Sequence, residues 1–164
     1  MTMEATGLVV RKSISVEASQ EHAFKVWTEG LDSWWRRDHH IGEAEMAEAV
    51  LEPREGGRVY ERGVDGSECD WGRVLVFEPP SRLVVSWQIN GDWKYDPDMS
   101  RASEYEVRFI AEGPTSTRVE FEHRHLERHG EAAQKLFEAF DSDGGWMGAL
   151  RSFADAAGTT SPAR

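Results

Sequence analysis

The sequence contains a single cysteine, Cys69, among its 164 residues. It cannot form an internal disulfide and has no second thiol for a metal site, as is typical of proteins in a reducing compartment. No apolar run approaches the roughly 20 residues that a membrane-spanning helix needs, which argues against a membrane span. Residues 1–7 lack the basic start and apolar stretch of a secretory signal, so we predict a cytoplasmic protein.

Positive charge is also in short supply, with 19 basic residues against 30 acidic ones and a formal net charge of −11. The resulting field repels phosphate backbones and anionic headgroups, so we expect no nucleic-acid partner. Local enzyme signatures are missing as well: the sequence has no G-x-S-x-G elbow, no phosphate-binding P-loop and no dinucleotide fingerprint. We therefore assign no catalytic residue, no cofactor and no metal.

Tryptophan, by contrast, is abundant. Seven tryptophans occur along the chain: Trp27, Trp34, Trp35, Trp71, Trp87, Trp93 and Trp146. Each supplies a large apolar face and one N–H that needs a partner when it is buried. A single such residue belongs in an ordinary core, but the set as a whole indicates that tryptophans line a wide apolar space.

The order of the hydrophobic patterns predicts an α+β domain. Residues 8–16 alternate as a half-buried strand does. Ser19 is typical of a helix N-cap and predicts a short helix that ends near Gly30, and Asp32 with Ser33 begins a second short turn. Six more strands are separated by proline and glycine turns, at 48–52, 58–62, 71–77, 83–89, 103–110 and 118–125.

The C-terminal part returns to a helical period. Apolar residues between positions 133 and 157 predict a long terminal helix, interrupted at Gly144 and Gly145, that covers the apolar face of the sheet. The loop at 90–100 is longer than a hairpin turn and carries Trp93 and Tyr95, so we predict a lid. One domain thus spans 8–157, between disordered ends at 1–7 and 158–164.

Four sequence words carry a family resemblance: REGGRVYERG at 54–63, WGRVLVFEPPSRLVVSWQI at 71–89, VEFEHRHLERHG at 119–130 and GGWMGAL at 144–150. In this order they resemble the START-like superfamily, in the branch related to the activator of Hsp90 ATPase. The resemblance implies a helix-grip fold, in which a bent antiparallel sheet of about seven strands wraps around a long C-terminal helix, with two short helices between the first two strands. It also implies a deep cavity for lipids, polyketides or other hydrophobic ligands.

Strand alternation suggests how that cavity is lined, because residues two apart share one face of a strand. The inward rows of the later strands meet the tryptophans and the terminal helix there. The candidate ligand-binding residues are Trp34, Trp35, Tyr60, Trp71, Trp87, Trp93, Tyr105, Phe121, His123, Trp146, Met147 and Leu150.

Two histidines on the last predicted strand, His123 and His125, face the same side about 7 Å apart. That spacing suits a metal as well as a ligand hydroxyl, but without a clear third ligand we favour a hydrogen-bonded histidine at the cavity wall. His129 would join them only if the chain turned back sharply.

Three carboxylates, Glu61, Glu68 and Asp70, are neighbours across a predicted hairpin. A solvated hairpin edge is the favoured interpretation. The alternative is a carboxylate held inside the cavity that acts as a base together with His123. The segment RRDHH at 36–40 is interpreted as a charged loop face.

The leading functional hypothesis is binding of a hydrophobic, aromatic or polycyclic small molecule, oriented by His123 or by a tryptophan N–H. Two alternatives stay open: an enzyme of the cyclase or hydrolase kind that acts on a polyketide-like substrate, and a protein-interaction module with an Hsp90-type chaperone as partner. The oligomeric state stays open as well, a homodimer included.

Overall fold

The computed structural model describes residues 8–159, which form seven strands and four α-helices. In chain order these are β1 (Val10–Val16), α1 (Gln20–Thr28), α2 (Leu31–Trp34), β2 (Met46–Leu51), β3 (Arg58–Gly63), β4 (Glu68–Glu78), β5 (Arg82–Trp87), β6 (Ser103–Gly113), β7 (Ser116–Arg124), α3 (Ala133–Asp141) and α4 (Gly148–Thr159). Short 3-10 turns lie at Met99–Arg101 and Leu126–Ala132, and a π turn lies at Asp143–Met147.

The strands form one antiparallel sheet in the order β1-β7-β6-β5-β4-β3-β2. From β2 onward each strand pairs with the next in sequence, through short turns except at the long connection 88–102 between β5 and β6. β1 pairs with β7 at the far end. Bulges between Val59 and Tyr60 and between Val74 and Val76 shift the register. Bulges of this kind bend a sheet and increase its twist.

The helices cover the concave face of the sheet. Ser19 caps α1 as predicted, because its side chain accepts a hydrogen bond from the His22 amide. α4 packs against β1, α1 and α2. The structure is the predicted helix-grip α+β fold, with two short helices between the first two strands.

One end of the sheet carries a solid aromatic core. Trp27 lies 4.7 Å from Trp34 and 4.9 Å from Phe153, measured between ring centroids. All three rings are almost completely buried. Burying rings of this size is a dominant stabilising contribution. Because the three rings pack against one another, this end of the molecule is a packed hydrophobic core.

The predicted long terminal helix is divided into two. Gly145 has a non-helical backbone (φ −87°, ψ −128°) inside the π turn between α3 and α4. A Cβ at Gly145 would lie 2.4 Å from the Ala139 carbonyl oxygen and 2.5 Å from that of Phe140. Only glycine fits so close an approach, and the break brings Trp146 down onto the sheet.

The last described helix extends two residues past the predicted domain limit at 157. The predicted disordered end 1–7 and positions 160–164 of the predicted tail lie outside the described residues, while α4 continues through Thr159. Among the described helices, none is long and apolar enough to cross a membrane.

Candidate ligand-binding cavity

A cavity of about 490 Å³ opens at the other end of the sheet, between β4, β5, the loop before β2 and the broken terminal helix. Five of the seven tryptophans line it: Trp35, Trp71, Trp87, Trp93 and Trp146. The broken helix contributes Phe140 and Ala149, and the loop before β2 contributes Asp38, His39, His40 and Ile41. The cavity therefore has aromatic walls and one polar side.

The tryptophan rings form a continuous wall. The Trp35 ring centroid lies 5.1 Å from that of Trp71 and 6.0 Å from that of Trp146. Trp87 lies 5.7 Å from Trp146. Trp93 is 42% exposed and touches the edge of Phe140, so it stands at the mouth, where the predicted lid was placed.

Three of these rings are fixed by hydrogen bonds of their indole N–H groups. Trp35 donates to the His39 carbonyl oxygen over 2.9 Å, and Trp71 donates to the Glu61 carboxylate over 2.9 Å. Trp146 donates to His123 over 3.0 Å. Because these N–H groups are already paired within the protein, the three residues offer ring surface rather than hydrogen bonds to a ligand.

His123 is fully buried behind Trp146. The indole N–H only donates, so His123 Nδ1 must accept and the ring hydrogen sits on Nε2. Nε2 lies 2.8 Å from the Ser103 hydroxyl oxygen, which is also 2.7 Å from His129 Nε2. A neutral His123 therefore donates to Ser103, which in turn donates to His129.

Burial lowers the pKa of His123 well below its usual 6.5, and the nearby His129 adds to the effect. The neutral ring stacks on Phe140 at 4.8 Å. His123 does not line the cavity. It holds Trp146 in place from behind the cavity wall.

The predicted histidine pair is corrected. β7 ends at Arg124, and His125 takes a left-handed backbone (φ 64°) that leaves its side chain 40% exposed. The chain turns back sharply here, as the sequence hypothesis required for His129, and it brings the His129 ring to the Ser103 hydroxyl. Among residues 8–159 no group of three histidine, cysteine or acidic side chains is placed to hold a metal ion.

Glu61 on β3 is only 1% exposed, so the solvated edge expected for it is wrong. Its Oε1 accepts from the Ile41 amide at 2.6 Å and from Trp71 Nε1 at 2.9 Å, and Oε2 accepts from the Gly42 amide at 3.0 Å. One buried carboxylate thus joins the loop before β2 to the tryptophan wall. It shares no hydrogen bond with His123, the partner that the sequence hypothesis gave it.

The other two predicted carboxylates remain at the surface. Arg58 Nη2 lies 2.6 Å from Asp70 Oδ1 and 3.1 Å from Glu68 Oε1. The Arg58 guanidinium also lies 4.0 Å from the centroid of the Tyr60 ring. Tyr60 therefore belongs to this outer charged layer and does not line the cavity, because it points to the opposite side of β3 from Glu61.

Five of the predicted site residues line the cavity, and five others pack behind it. The structure brings Trp35, Trp71, Trp87, Trp93 and Trp146 together at the cavity. It places Trp34, Tyr105, Phe121 and Leu150 in the core and leaves Met147 half-buried against it. Tyr105 and Phe121 still matter to the site, since their rings lie 4.9 Å and 4.4 Å from Trp146 and support it.

The polar side of the cavity was missed in the sequence. Asp38, His39 and His40 were interpreted as a charged loop face, and Ser142 was not considered. Burial lowers the pKa of His39, although the neighbouring Asp38 acts in the other direction. No local pattern marks Asp38, His39 and His40, because they belong to an irregular loop that the distant Glu61 holds. Ser142 follows the last residue of α3.

The sequence and the fold are similar to those of known proteins. The family model described as activator of Hsp90 ATPase homolog 1-like protein matches residues 17–158. The structure is similar to that of the anthrahydroquino-γ-pyrone synthase Txn09, with 44% identity over 90% of this chain and 95% of that one and a TM-score of 0.65. It is also similar to CalC, a self-sacrificing resistance protein from Micromonospora echinospora, with 34% identity over 95% and 97% of the two chains and a TM-score of 0.69. No curated protein matches the sequence significantly.

Proposed function

The chain belongs to the family of activator of Hsp90 ATPase homolog 1-like proteins, and from this premise we propose that it binds a flat, ring-containing small molecule of the polyketide type in the tryptophan-walled cavity. The observation that carries the proposal is the joint presence of five tryptophans around one space of about 490 Å³. Ligand cavities commonly measure about 300–1,000 Å³ and are mainly apolar with a few polar groups.

The wall suits a flat aromatic ligand better than a flexible chain. Offset or edge-on aromatic contacts are worth about 0.5–1.5 kcal/mol each beyond the area they bury. Three of the rings are held by hydrogen bonds within the protein, through Trp35, Trp71 and Trp146. A wall that is already ordered loses little side-chain entropy when a ligand arrives.

The polar side gives such a ligand an orientation. His39 and His40 lie on one side of the cavity, and Ser142 lies on the broken helix. A ring system that carries hydroxyl or carbonyl groups at its edge can satisfy them while its faces contact tryptophan. The relative Txn09, 44% identical, is named for a fused ring product of this kind, which supports the ligand class.

Fluorescence titration tests the proposal. The probe is 1,2-dihydroxyanthraquinone, and hexadecanoic acid serves as a flexible apolar comparison. We expect saturable 1:1 quenching of tryptophan emission by the anthraquinone and at least about tenfold weaker binding of the fatty acid, a difference of about 1.4 kcal/mol. Equal binding of the two would overturn the aromatic ligand class.

Two matched variants locate the bound probe. Ala139→Phe adds a ring at a half-buried position of the cavity, whereas Ala47→Phe adds the same ring at an exposed position of β2. The first should weaken binding at least about tenfold by filling space, and the second should leave it unchanged. If Ala139→Phe binds as well as the parent protein, the anthraquinone binds elsewhere and the proposal fails.

Ring closure of a polyketide-like substrate is a second candidate, because Txn09 is a synthase by name. Incubation of the protein with a linear aromatic ynone or enone precursor separates the two. A new product of unchanged mass in liquid chromatography with mass spectrometry supports turnover. Recovery of the precursor alone, with binding intact, restricts the protein to binding.

A further inference from the structure

One histidine at the cavity has the geometry of an acid–base group. His40 Nδ1 lies 3.0 Å from the Gly42 carbonyl oxygen. A carbonyl oxygen only accepts, so Nδ1 carries the ring hydrogen and Nε2 keeps its lone pair. No hydrogen-bond partner of Nε2 lies among residues 8–159, and His40 is one of the cavity-lining residues. The free nitrogen is therefore available to a ligand.

A buried carboxylate stands behind this ring. Glu61 Oε2 lies 3.7 Å from His40 Nδ1, and the Glu61 side chain is 2% exposed against 26% for His40. Three N–H donors fix the carboxylate, from Ile41, Gly42 and Trp71. The Nδ1 hydrogen goes to the Gly42 carbonyl oxygen, so Glu61 supports the ring through the amides of Ile41 and Gly42 in the same loop. Because Nδ1 is held as the donor, Nε2 is the nitrogen that can take a proton from a ligand.

The other titratable groups around His40 are less suited to this task. His39 precedes it in the loop, and burial lowers the pKa of His39. Asp38 is largely exposed, with 69% of its side chain accessible. Cys69 on β4 lies beside Glu61, and burial together with the Glu61 charge raises the pKa of its thiol. Among these groups, His40 is the one that combines an unpaired ring nitrogen with a loop held by the buried Glu61 carboxylate.

We infer that His40 is the proton-transfer residue of the cavity, which takes a proton from a phenolic or enolic hydroxyl of the bound ligand, and that Glu61 positions it. This inference rests on the proposed binding of an aromatic ligand. In the step the ligand O–H bond breaks, its electron pair stays on oxygen, and an N–H bond forms at Nε2. The proton later returns from Nε2 to an oxygen or carbon of the ligand, so no co-reactant is consumed.

The experiment uses the spectrum of bound 1,2-dihydroxyanthraquinone, whose phenolate absorbs at longer wavelength than its phenol. The dye is saturated with protein at one pH at which the free dye is mostly neutral. We expect the phenolate-to-phenol ratio to be about tenfold higher on the wild-type protein than on His40→Gln, which corresponds to lowering the pKa of the dye by about one. Glu61→Gln, measured on protein that is folded by circular dichroism, should also lower the ratio.

A control variant and three contrary outcomes complete the experiment. His125→Gln, at an exposed position outside the cavity, should leave the ratio unchanged, and His40→Asn replaces His40→Gln if the latter does not fold. An unchanged ratio in a His40 variant that still binds the dye overturns this inference alone. Loss of the phenolate band in His39→Gln but not in His40→Gln also overturns it, while failure of the wild-type protein to bind the dye overturns the proposed function.

Discussion

Replacing Glu61 by glutamine tests the most unusual contact in the molecule. The best placement of the new amide puts its oxygen at the Oε1 position, where it still accepts from the Ile41 amide and from Trp71 Nε1. Its NH₂ group then faces the Gly42 amide hydrogen at the 3.0 Å position of Oε2. Two donors face each other there, and the two surviving hydrogen bonds lose their charged acceptor.

The magnitude follows from these three contacts. A hydrogen bond to a charged group is worth about 1.5–3 kcal/mol, and a buried donor left unpaired costs about 1–3 kcal/mol. We therefore expect Glu61→Gln to lower the free energy of unfolding by about 2–4 kcal/mol. That is a large part of the roughly 5–15 kcal/mol that stabilises a domain.

Urea unfolding followed by far-ultraviolet circular dichroism measures this loss. The matched control is Glu68→Gln on the adjacent strand, whose side chain is 39% exposed and pairs with Arg58 at 3.1 Å. An exposed ion pair of this kind contributes about 0–1 kcal/mol. If Glu61→Gln costs no more than Glu68→Gln, the buried carboxylate does not hold the loop and the reasoning is refuted.

Three further changes test other contacts. Ser103→Ala removes the hydroxyl between His123 and His129 and should lower the free energy of unfolding, measured with urea, by about 1–3 kcal/mol. Ser33→Ala at an exposed position should lower it by under about 0.5 kcal/mol, and equal losses would contradict the hydrogen-bond network of His123, Ser103 and His129. Gly72→Ala places a Cβ 2.0 Å from a carbonyl oxygen of the neighbouring strand, so its thermal melting should fall far below that of Gly144→Ala, where nothing lies within 4 Å. Burial lowers the pKa of His123 below its usual 6.5, so the unfolded chain binds its proton first and the free energy of unfolding should fall as the pH drops below 6.5. Burial lowers the pKa of His39 and His129 as well, so His123→Phe should weaken this dependence without removing it, and an unaltered dependence would contradict a neutral buried His123.

Strands and caps were predictable because their signals are local. The pattern at 118–125 gave the strand observed at Ser116–Arg124, and Ser19 caps α1 as its residue type suggests. Alternation within one strand and the turn residues that follow it need no knowledge of the rest of the chain. The break at Gly144 and Gly145 was visible for the same reason, and it divides the predicted long terminal helix into α3 and α4.

The inward face of β3 was harder to predict. Val59 and Tyr60 are both apolar neighbours and must point to opposite sides of the strand. Tyr60 was placed at the cavity, but Val59 and Glu61 face inward and Tyr60 lies under Arg58. A bulge between Val59 and Tyr60 shifts the register at this point, and the sequence of a single strand does not reveal which register its neighbours impose.

The loop that carries His40 depends on a contact far away in sequence. Its amides at Ile41 and Gly42 find their partner in Glu61, about twenty residues later. The Oε1 atom that accepts from Ile41 also accepts from Trp71 in the cavity wall. Because one oxygen atom serves both, a displacement of the Trp71 ring alters the support of the loop, and a movement of the loop alters the wall. The shape of the aromatic cavity and the position of its free histidine nitrogen are therefore set together and cannot be adjusted independently.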